Sequence, residues 1–379
     1  MAEKDTVFTC PHCGGVMAFD VDQQKLKCPY CDSTMTITEF QELQQSKEDK
    51  SPEEGENINE GRKPGEETAD VFVSSTGGAE WTTAETEGMR VFHCDNCGGE
   101  VVVDATTGAT ACPYCGSNLV LKGQFSGALR PDYVVPFKLS REQAMKNYQE
   151  FVSKQWLLPR MFRSNSCIED MRGVYVPFWV FDADAKAHIV FDAEKVSVRT
   201  IGKKEYTTTG YYTLERSGMV SFDKVPADCS KKMDDVLMES LEPFVFSDAE
   251  PFNTAYLAGF MADHYDEDPK DSRKRAHKRI EQSTSMAFRK TVSSKYQSVN
   301  EKVSNINLLN ARYWYTLYPV WLLSAKYGNE IYQVAVNGQT GKVVGELPVG
   351  RAEFIKKVGI RSAIWFAVLY GLKWLIVLA

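Results

Sequence analysis

"FHCDNCGGEVVVDATTGATACPYCGSNLVL", residues 92–121, repeats the outline of "FTCPHCGGVMAFDVDQQKLKCPYCDSTMTI", residues 8–37, at one constant offset. Cys10, Cys13, Gly14, Gly15, Asp20, Cys28, Pro29, Tyr30, Cys31 and Ser33 return as Cys94, Cys97, Gly98, Gly99, Asp104, Cys112, Pro113, Tyr114, Cys115 and Ser117. Each copy reads C-x2-C-x14-C-x2-C. Four thiolates from two short turns surround a tetrahedral Zn²⁺ at about 2.3 Å, and glycines behind a cysteine pair permit the tight turn that aims backbone amides at sulfur. The spacing therefore predicts two zinc ribbons and two Zn²⁺ ions, with Cys10, Cys13, Cys28 and Cys31 as one ligand set and Cys94, Cys97, Cys112 and Cys115 as the other. A shell closed by four cysteines leaves no coordination position open, which points to structure and not to catalysis. His12 and His93 sit beside ligand cysteines but are not needed to complete either shell.

The remaining composition bounds the rest of the chain. It has 379 residues, 43% hydrophobic and 25% charged, enough for two or three domains. A net charge of −7 excludes the dominant cationic field by which a protein coats nucleic acid non-specifically. Of the ten cysteines, eight lie in C-x-x-C pairs, and the opening "MAEKDTVFTC" is charged with no apolar signal segment; both point to reduced thiols in the cytoplasm. Cys167 and Cys229 stand apart and read as small semi-buried side chains.

The expected organisation is α+β: a first ribbon over 1–40, a disordered acidic linker over 41–85, a second ribbon over 86–125, a mixed α+β core over 126–350, and a basic flank with a transmembrane helix over 351–379. The linker text "SKEDKSPEEGENINEGRKPGEET" has almost no apolar residues, so ordering it gains no burial, and the first ribbon is expected to move relative to the second. In the core, "LSREQAMKNYQEFV" carries a Ser140/Gln143 capping box ahead of an apolar face. "GVYVPFWVFDADAKAHIVF" and "YTLYPVWLLSAKYGNEIYQVAV" read as strands, each with a Pro-x-Trp, which hints at an internal duplication. Helices are expected near 234–241, 254–265 and 270–288.

Catalytic signatures are lacking, and no enzyme is expected. "VNGQTGKVVGELP" fails as a phosphate loop, because Val343 follows Gly341-Lys342 and Val336 stands where the pattern needs glycine; it reads as a turn between strands. Asp182, Asp184 and His188 share one face of a predicted strand as solvent-face residues. The cations of "KDSRKRAHKRIEQ" go round a helix without forming a stripe.

The stretch "SAIWFAVLYGLKWLIVLA", 362–379, is interrupted only by Lys373. As a helix it would extend about 27 Å, close to a hydrocarbon core of about 30 Å. Trp365, Tyr370 and Trp374 suit interfacial anchoring, and Arg351, Lys356, Lys357 and Arg361 before it place the bulk of the chain on the cytoplasmic side.

Taken with the paired ribbons, "GVYVPFWVF", "AYLAGFMADHYD", "YPVWLLSAKY" and "VNGQTGKVVGELP" resemble the bacterial membrane-anchored proteins with transcription factor IIB-type zinc ribbons, often labelled primosomal-helicase-like on their ribbons alone. The helicase label fails on this sequence, which has no Walker loop. Some members of that family are linked to phage-shock protein A-like membrane-stress systems. The resemblance thus implies a membrane-stress adaptor or scaffold, whose protein partner at the cytoplasmic membrane is a phage-shock protein A-like oligomer. Nucleic-acid binding through the ribbons is the alternative; it is weakened by the few cations, Lys25 and Lys27 in the first ribbon and none between Cys94 and Cys115 in the second.

Overall fold

The aromatic and β-branched runs around Pro177 and Pro319 become two strands of 30 residues each, Arg172–Ile201 and Ser298–Tyr327. They pair antiparallel over most of their length, about 100 Å at 3.3 Å per residue. The two Pro-x-Trp motifs face each other near the Arg172 end of this pairing, with Pro177 opposite Leu317 and Pro319 opposite Tyr175. Each motif's indole N–H donates to a main-chain carbonyl 3.0 Å away, Trp179 to Glu267 and Trp321 to Leu139. The computed structural model describes residues 8–48, 73–74, 78–81, 86, 89–104, 111–124, 129–164 and 168–378.

In chain order, the first ribbon holds β1 (Ala18–Asp20), β2 (Lys25–Lys27) and β3 (Thr34–Met35), followed by α1 (Ile37–Glu48). After β4 (Val73–Ser74) come the second ribbon's β5 (Met89–His93), β6 (Glu100–Asp104) and β7 (Val120–Gln124). The core opens with β8 (Tyr133–Val134) and α2 (Arg141–Ser153) before the long β9 (Arg172–Ile201) and β10 (Lys204–Asp228). It continues with α3 (Asp235–Ser240), β11 (Glu250–Pro251), β12 (Met261–Ala262), α4 (Pro269–Lys290) and β13 (Ser298–Tyr327). It ends with β14 (Glu330–Asn337), β15 (Val343–Gly345) and α5 (Arg351–Leu378). The fold is α+β. β1 to β3 form one small sheet; the other twelve strands form a single sheet built on β9 and β13. Beyond Glu194 only β9 and β10 remain paired, so their hairpin extends past the rest of the sheet.

Local signals work as their chemistry dictates. Ser140 caps α2 with the reciprocal Gln143 bond, and Ala144, Tyr148 and Val152 fill its buried face. The turn after β14 is closed by the Asn337 carboxamide oxygen, which accepts from the amides of Gln339 and Thr340 at 2.9 Å each. Gly341 takes the left-handed conformation there (φ 77°). Gly338 is required for a different reason: a Cβ would meet the Phe137 ring at 2.6 Å.

Three expectations need correction. No helix spans 254–265: a 3₁₀ turn, Thr254–Leu257, stops at Gly259 with φ 88°, and the chain continues as β12. The linker expected over 41–85 is helical in α1 as far as Glu48, and Val73–Ser74 joins the sheet beside Arg312 and Tyr313; residues 49–72 lie outside the described residues. The first ribbon is docked, not free. The Phe19 N–H donates to the Ala258 carbonyl, the Gln24 side chain to the Phe137 carbonyl, and the Phe19 and Tyr256 rings meet at 5.4 Å. These receiving groups are remote in sequence, so nothing near the ribbon announces them.

Among the described residues, no helix is long and apolar enough to cross a membrane. Residues 362–378 fall in α5, whose side chains are described as far as Tyr370, and Trp374 lies beyond them. The base of α5 is pinned to the core. Gly350 N–H donates to Leu157 O at 2.8 Å, Lys357 hydrogen-bonds the Trp156 carbonyl, and Arg361 lies 4.5 Å from the Trp156 ring centroid.

Candidate metal centres

Each ribbon is made of two knuckles with one backbone recipe. In all four, the first cysteine's N–H donates to the carbonyl five residues on, and its own carbonyl accepts from the N–H four residues on: Cys10 with Gly15 and Gly14, Cys28 with Ser33 and Asp32, Cys94 with Gly99 and Gly98, Cys112 with Ser117 and Gly116. The fourth residue after the cysteine is left-handed each time, at φ 75° for Gly14, 56° for Asp32, 71° for Gly98 and 73° for Gly116. This reversal turns both sulfurs of a C-x-x-C pair to the same side.

The sequence-predicted ligands come together as two groups of four. Cys10, Cys13, Cys28 and Cys31 place their sulfurs within 4.8 Å of one another, as do Cys94, Cys97, Cys112 and Cys115. Between knuckles, Cys10 to Cys31 is 3.6 Å and Cys13 to Cys28 is 3.5 Å; Cys94 to Cys115 is 3.5 Å and Cys97 to Cys112 is 3.6 Å. A tetrahedron with metal–sulfur bonds of about 2.3 Å has edges of about 3.8 Å, so the donor type, number and spacing fit a four-coordinate dication. In both groups one sulfur of each pair is buried, Cys10 and Cys28 in the first, Cys94 and Cys112 in the second.

Hydrogen bonds around the sulfurs complete each cage. Ser33 Oγ lies 3.0 Å from both Cys10 and Cys31 Sγ, and this hydroxyl chiefly holds the Cys10 thiol down at about 6. Burial raises the Cys115 thiol, but the Ser117 hydroxyl and amide and Asn96 outweigh it and bring it to about 6. Burial pushes Cys97 up to about 11 and Cys112 further. Four thiolates packed this closely cannot all carry charge unaided, so their titrations split; a bound dication removes that conflict. Ser33 and Ser117 recur in the repeat, and that recurrence was the only sequence signal of their role.

His12 is exposed and His93 lies 3.5 Å from Glu100; neither belongs to a ligand group. Asp182, Asp184 and His188 share a face as expected but answer to separate partners. Asp182 accepts from Lys224, Asp184 from Ser221 and Asn310, and His188 meets Ser217 and Glu215. In α4, Arg275 pairs with Asp235 and Glu267, and Arg279 with Glu242. Cys167 lies outside the described residues; Cys229 is fully buried, and burial with the carboxylates of Asp228 and Asp263 holds its thiol far above the ordinary range.

The chain is 31% identical over 329 residues to the uncharacterized protein YdjG of Bacillus subtilis (strain 168), an alignment covering 74% of this chain and 94% of that protein. The chain belongs to the YdjG family. No protein-family model matches it, and no solved structure does.

The two ribbons differ in their seating. In the second, β6 is bonded to β12 through Val102 and Ala262, and Val101, Val103 and Tyr114 are buried in the core with the cage cysteines. Its second knuckle rests on the β13–β14 hairpin: Ser324 Oγ donates to the Pro113 carbonyl at 2.6 Å and Gln333 Nε2 to the Tyr114 carbonyl at 2.8 Å. Burial and the nearby Asp263 carboxylate hold the Tyr114 phenol well above its ordinary pKa. In the first ribbon the matching Tyr30 lies against its own Gly15 and is 76% exposed, against 3% for Tyr114.

Proposed function

We propose that this member of the YdjG family is a membrane-anchored, cytoplasm-facing scaffold in which each four-cysteine cage holds Zn²⁺ and the ribbons recruit a protein partner to the membrane. The carrying observation is α5. Its described apolar side chains are exposed at successive positions, Ile364, Trp365 and Phe366 among them, so they point round the helix instead of forming one core-facing stripe. The sequence beyond, 371–378, continues the apolar text except for Lys373, and Arg351, Lys356, Lys357 and Arg361 precede it. Trp365, at 66% exposure, and Tyr370, at 54%, then serve with Trp374 as interfacial anchors.

Cages with all positions filled by thiolate favour a structural ion, and Zn²⁺ suits four tetrahedral sulfurs with no redox role. Both ribbons sit on one body, so they offer a fixed pair of surfaces. An oligomeric client of the phage-shock protein A-like kind would be held by two contacts, the second at high effective concentration. Nucleic-acid recognition gains no observation, since the half-buried Arg275 and Arg279 are committed to carboxylates.

The test is purification of the tagged full-length protein from crosslinked, carbonate-washed native membranes with and without nuclease. Expected are membrane retention, two zinc ions per chain by elemental analysis, and a nuclease-resistant protein partner lost in the Cys10→Ser/Cys13→Ser variant. Release by carbonate would remove the anchor from the reading; nuclease-sensitive partners would remove the adaptor.

A further inference from the structure

The second ribbon shows how the second knuckle of this module is engaged, and the first ribbon presents the same knuckle without that cover. Pro113 and Tyr114 are buried against the hairpin of β13 and β14, in which Ser324 and Gln333 stand directly opposite each other. This one cross-strand pair supplies both donors, a hydroxyl to the Pro113 carbonyl and a carboxamide to the Tyr114 carbonyl. The Tyr114 ring is closed off from solvent, lying against Gly99 of its own ribbon and near Asp263. In the first ribbon Pro29 and Tyr30 occupy the matching positions on a knuckle with the same backbone closure, and both are exposed. The docking of that ribbon uses Phe19 and Gln24 instead, leaving the Tyr30 face outward.

We propose that the Pro29–Tyr30 knuckle is a docking site for a partner protein's β-hairpin that presents a hydroxyl and a carboxamide as a cross-strand pair. The ring of Tyr30 provides the apolar anchor, and the carbonyls of Pro29 and Tyr30 accept the two donors. A large exposed aromatic flanked by acceptors of fixed geometry is the kind of feature that dominates an interface. The chain's own hairpin cannot be the occupant, because its Ser324/Gln333 pair already holds the second ribbon. This rests on reading the ribbons as recognition modules and names the face, the ring and the donors that such recognition uses.

The probe is a cyclised peptide of residues 320–337, which carries Ser324 and Gln333 and is closed because an isolated hairpin is marginal in water. It bears a fluorophore and a photocrosslinker at the position of Ile331. Titrated into zinc-loaded full-length protein, it should bind saturably and crosslink to residues 28–33. Tyr30→Ala should weaken binding at least about tenfold while zinc stays at two per chain, as expected for loss of an anchor residue. Tyr30→Phe should bind within about twofold, since burial of the ring dominates. Peptides with Ser324→Ala and Gln333→Ala should lose binding. Absence of saturable binding, binding indifferent to Tyr30→Ala, or crosslinks confined to the second ribbon would each overturn the proposal. So would a dimer that forms without peptide and depends on Tyr30, which would make a second copy the occupant. If the peptide fails while Cys10→Ser/Cys13→Ser still strips the partner from membranes, recognition stands and lies on another face.

Discussion

The two ribbons have the same ligand spacing, the same two knuckle reversals and the same serine beside the sulfurs, yet one is built into the main sheet and the other sits against its side. The difference lies outside the motif. Val102 of the second ribbon finds Ala262, and Tyr114 and Pro113 find the β13–β14 hairpin. The first ribbon makes its attachment through Phe19 and Gln24 of its hairpin arm, with its second knuckle left exposed. A metal module therefore fixes its own fold, while a few residues on its surface decide whether it acts as a core element or as an exposed one.

The largest expected separation between the two comes from removing a cage. Structural zinc contributes about 10 kcal/mol or more to folding small modules, comparable to the whole stability of a domain. Cys94→Ser/Cys97→Ser should therefore abolish the cooperative melt of the sheet, since β5, β6 and β7 of that ribbon are strands of the main sheet, whereas β1 to β3 of the first ribbon form a sheet of their own. Cys10→Ser/Cys13→Ser should lower zinc to one per chain and leave that melt in place. Circular-dichroism melts with zinc analysis decide it; equal losses would mean the first ribbon is as integral as the second.

Next in size are the paired tyrosines. Tyr114→Ala removes a buried ring from a packed seat and should cost about 3–5 kcal/mol, whereas Tyr30→Ala at an exposed position should cost less than about 1 kcal/mol. Denaturant unfolding of the two variants measures both. Similar values would show that the ring's contact with Gly15 or Gly99, common to both ribbons, matters more than the seat.

The seat of the second ribbon also carries a pH dependence. Near it, Ser230 Oγ donates to Asp263 at 2.6 Å, and Lys232 pairs with Asp263 and Asp266. Asp228, 2% exposed with Oδ2 unbonded, has its carboxyl pushed up to about 8 by burial, against the lowering effects of the Ser230 amide and Arg275. A carboxyl with a raised folded pKa is protonated in the folded chain and ionised in the unfolded chain between the two values. Its contribution is therefore full below about 4 and lost as pH rises to about 8. Asp228→Asn should flatten this decline, with a gain over the parent that grows toward pH 8 to about 2–5 kcal/mol. Unfolding free energies across that range measure it, and a gain independent of pH would assign the effect to packing.

The legible part of this molecule was local. Eight ligands, the capping box at Ser140, the long strands and the turn at Asn337 were readable because each signal and its partner lie within a few residues or repeat at a fixed spacing. The seat was not readable, because Ser324 and Gln333 meet Pro113 and Tyr114 across more than half the chain and neither pair has a distinctive local pattern. The helix expected at 254–265 failed on Gly259, whose positive φ outweighed an apolar periodicity. The docking of the first ribbon was hidden by the linker text, whose composition describes the tether and says nothing of what the module at its end can touch. Asp182, Asp184 and His188 illustrate the opposite error avoided: a shared strand face is not a site when each member has its own neighbour.

The smallest expected effect lies in a single knuckle position. Of the four left-handed residues behind the cysteines, three are glycine and one is Asp32, at φ 56°. An L side chain in that conformation costs about 1 kcal/mol relative to glycine, moderated for aspartate by its local hydrogen bonding. Asp32 lies 3.2 Å from Lys27 as an exposed ion pair, which contributes little. Asp32→Gly should therefore stabilise the first ribbon by about 0.5 kcal/mol net, and the matching Gly116→Asp should destabilise the second by a similar amount plus any cost of crowding near the Ser324 carbonyl, 4.0 Å from its Cβ position. Slower zinc release to a chelator from the first ribbon in Asp32→Gly is the measurement. Faster release would mean that Asp32 is held for the face it shares with Tyr30, and that this knuckle's conformation has been traded for a surface the second ribbon keeps buried.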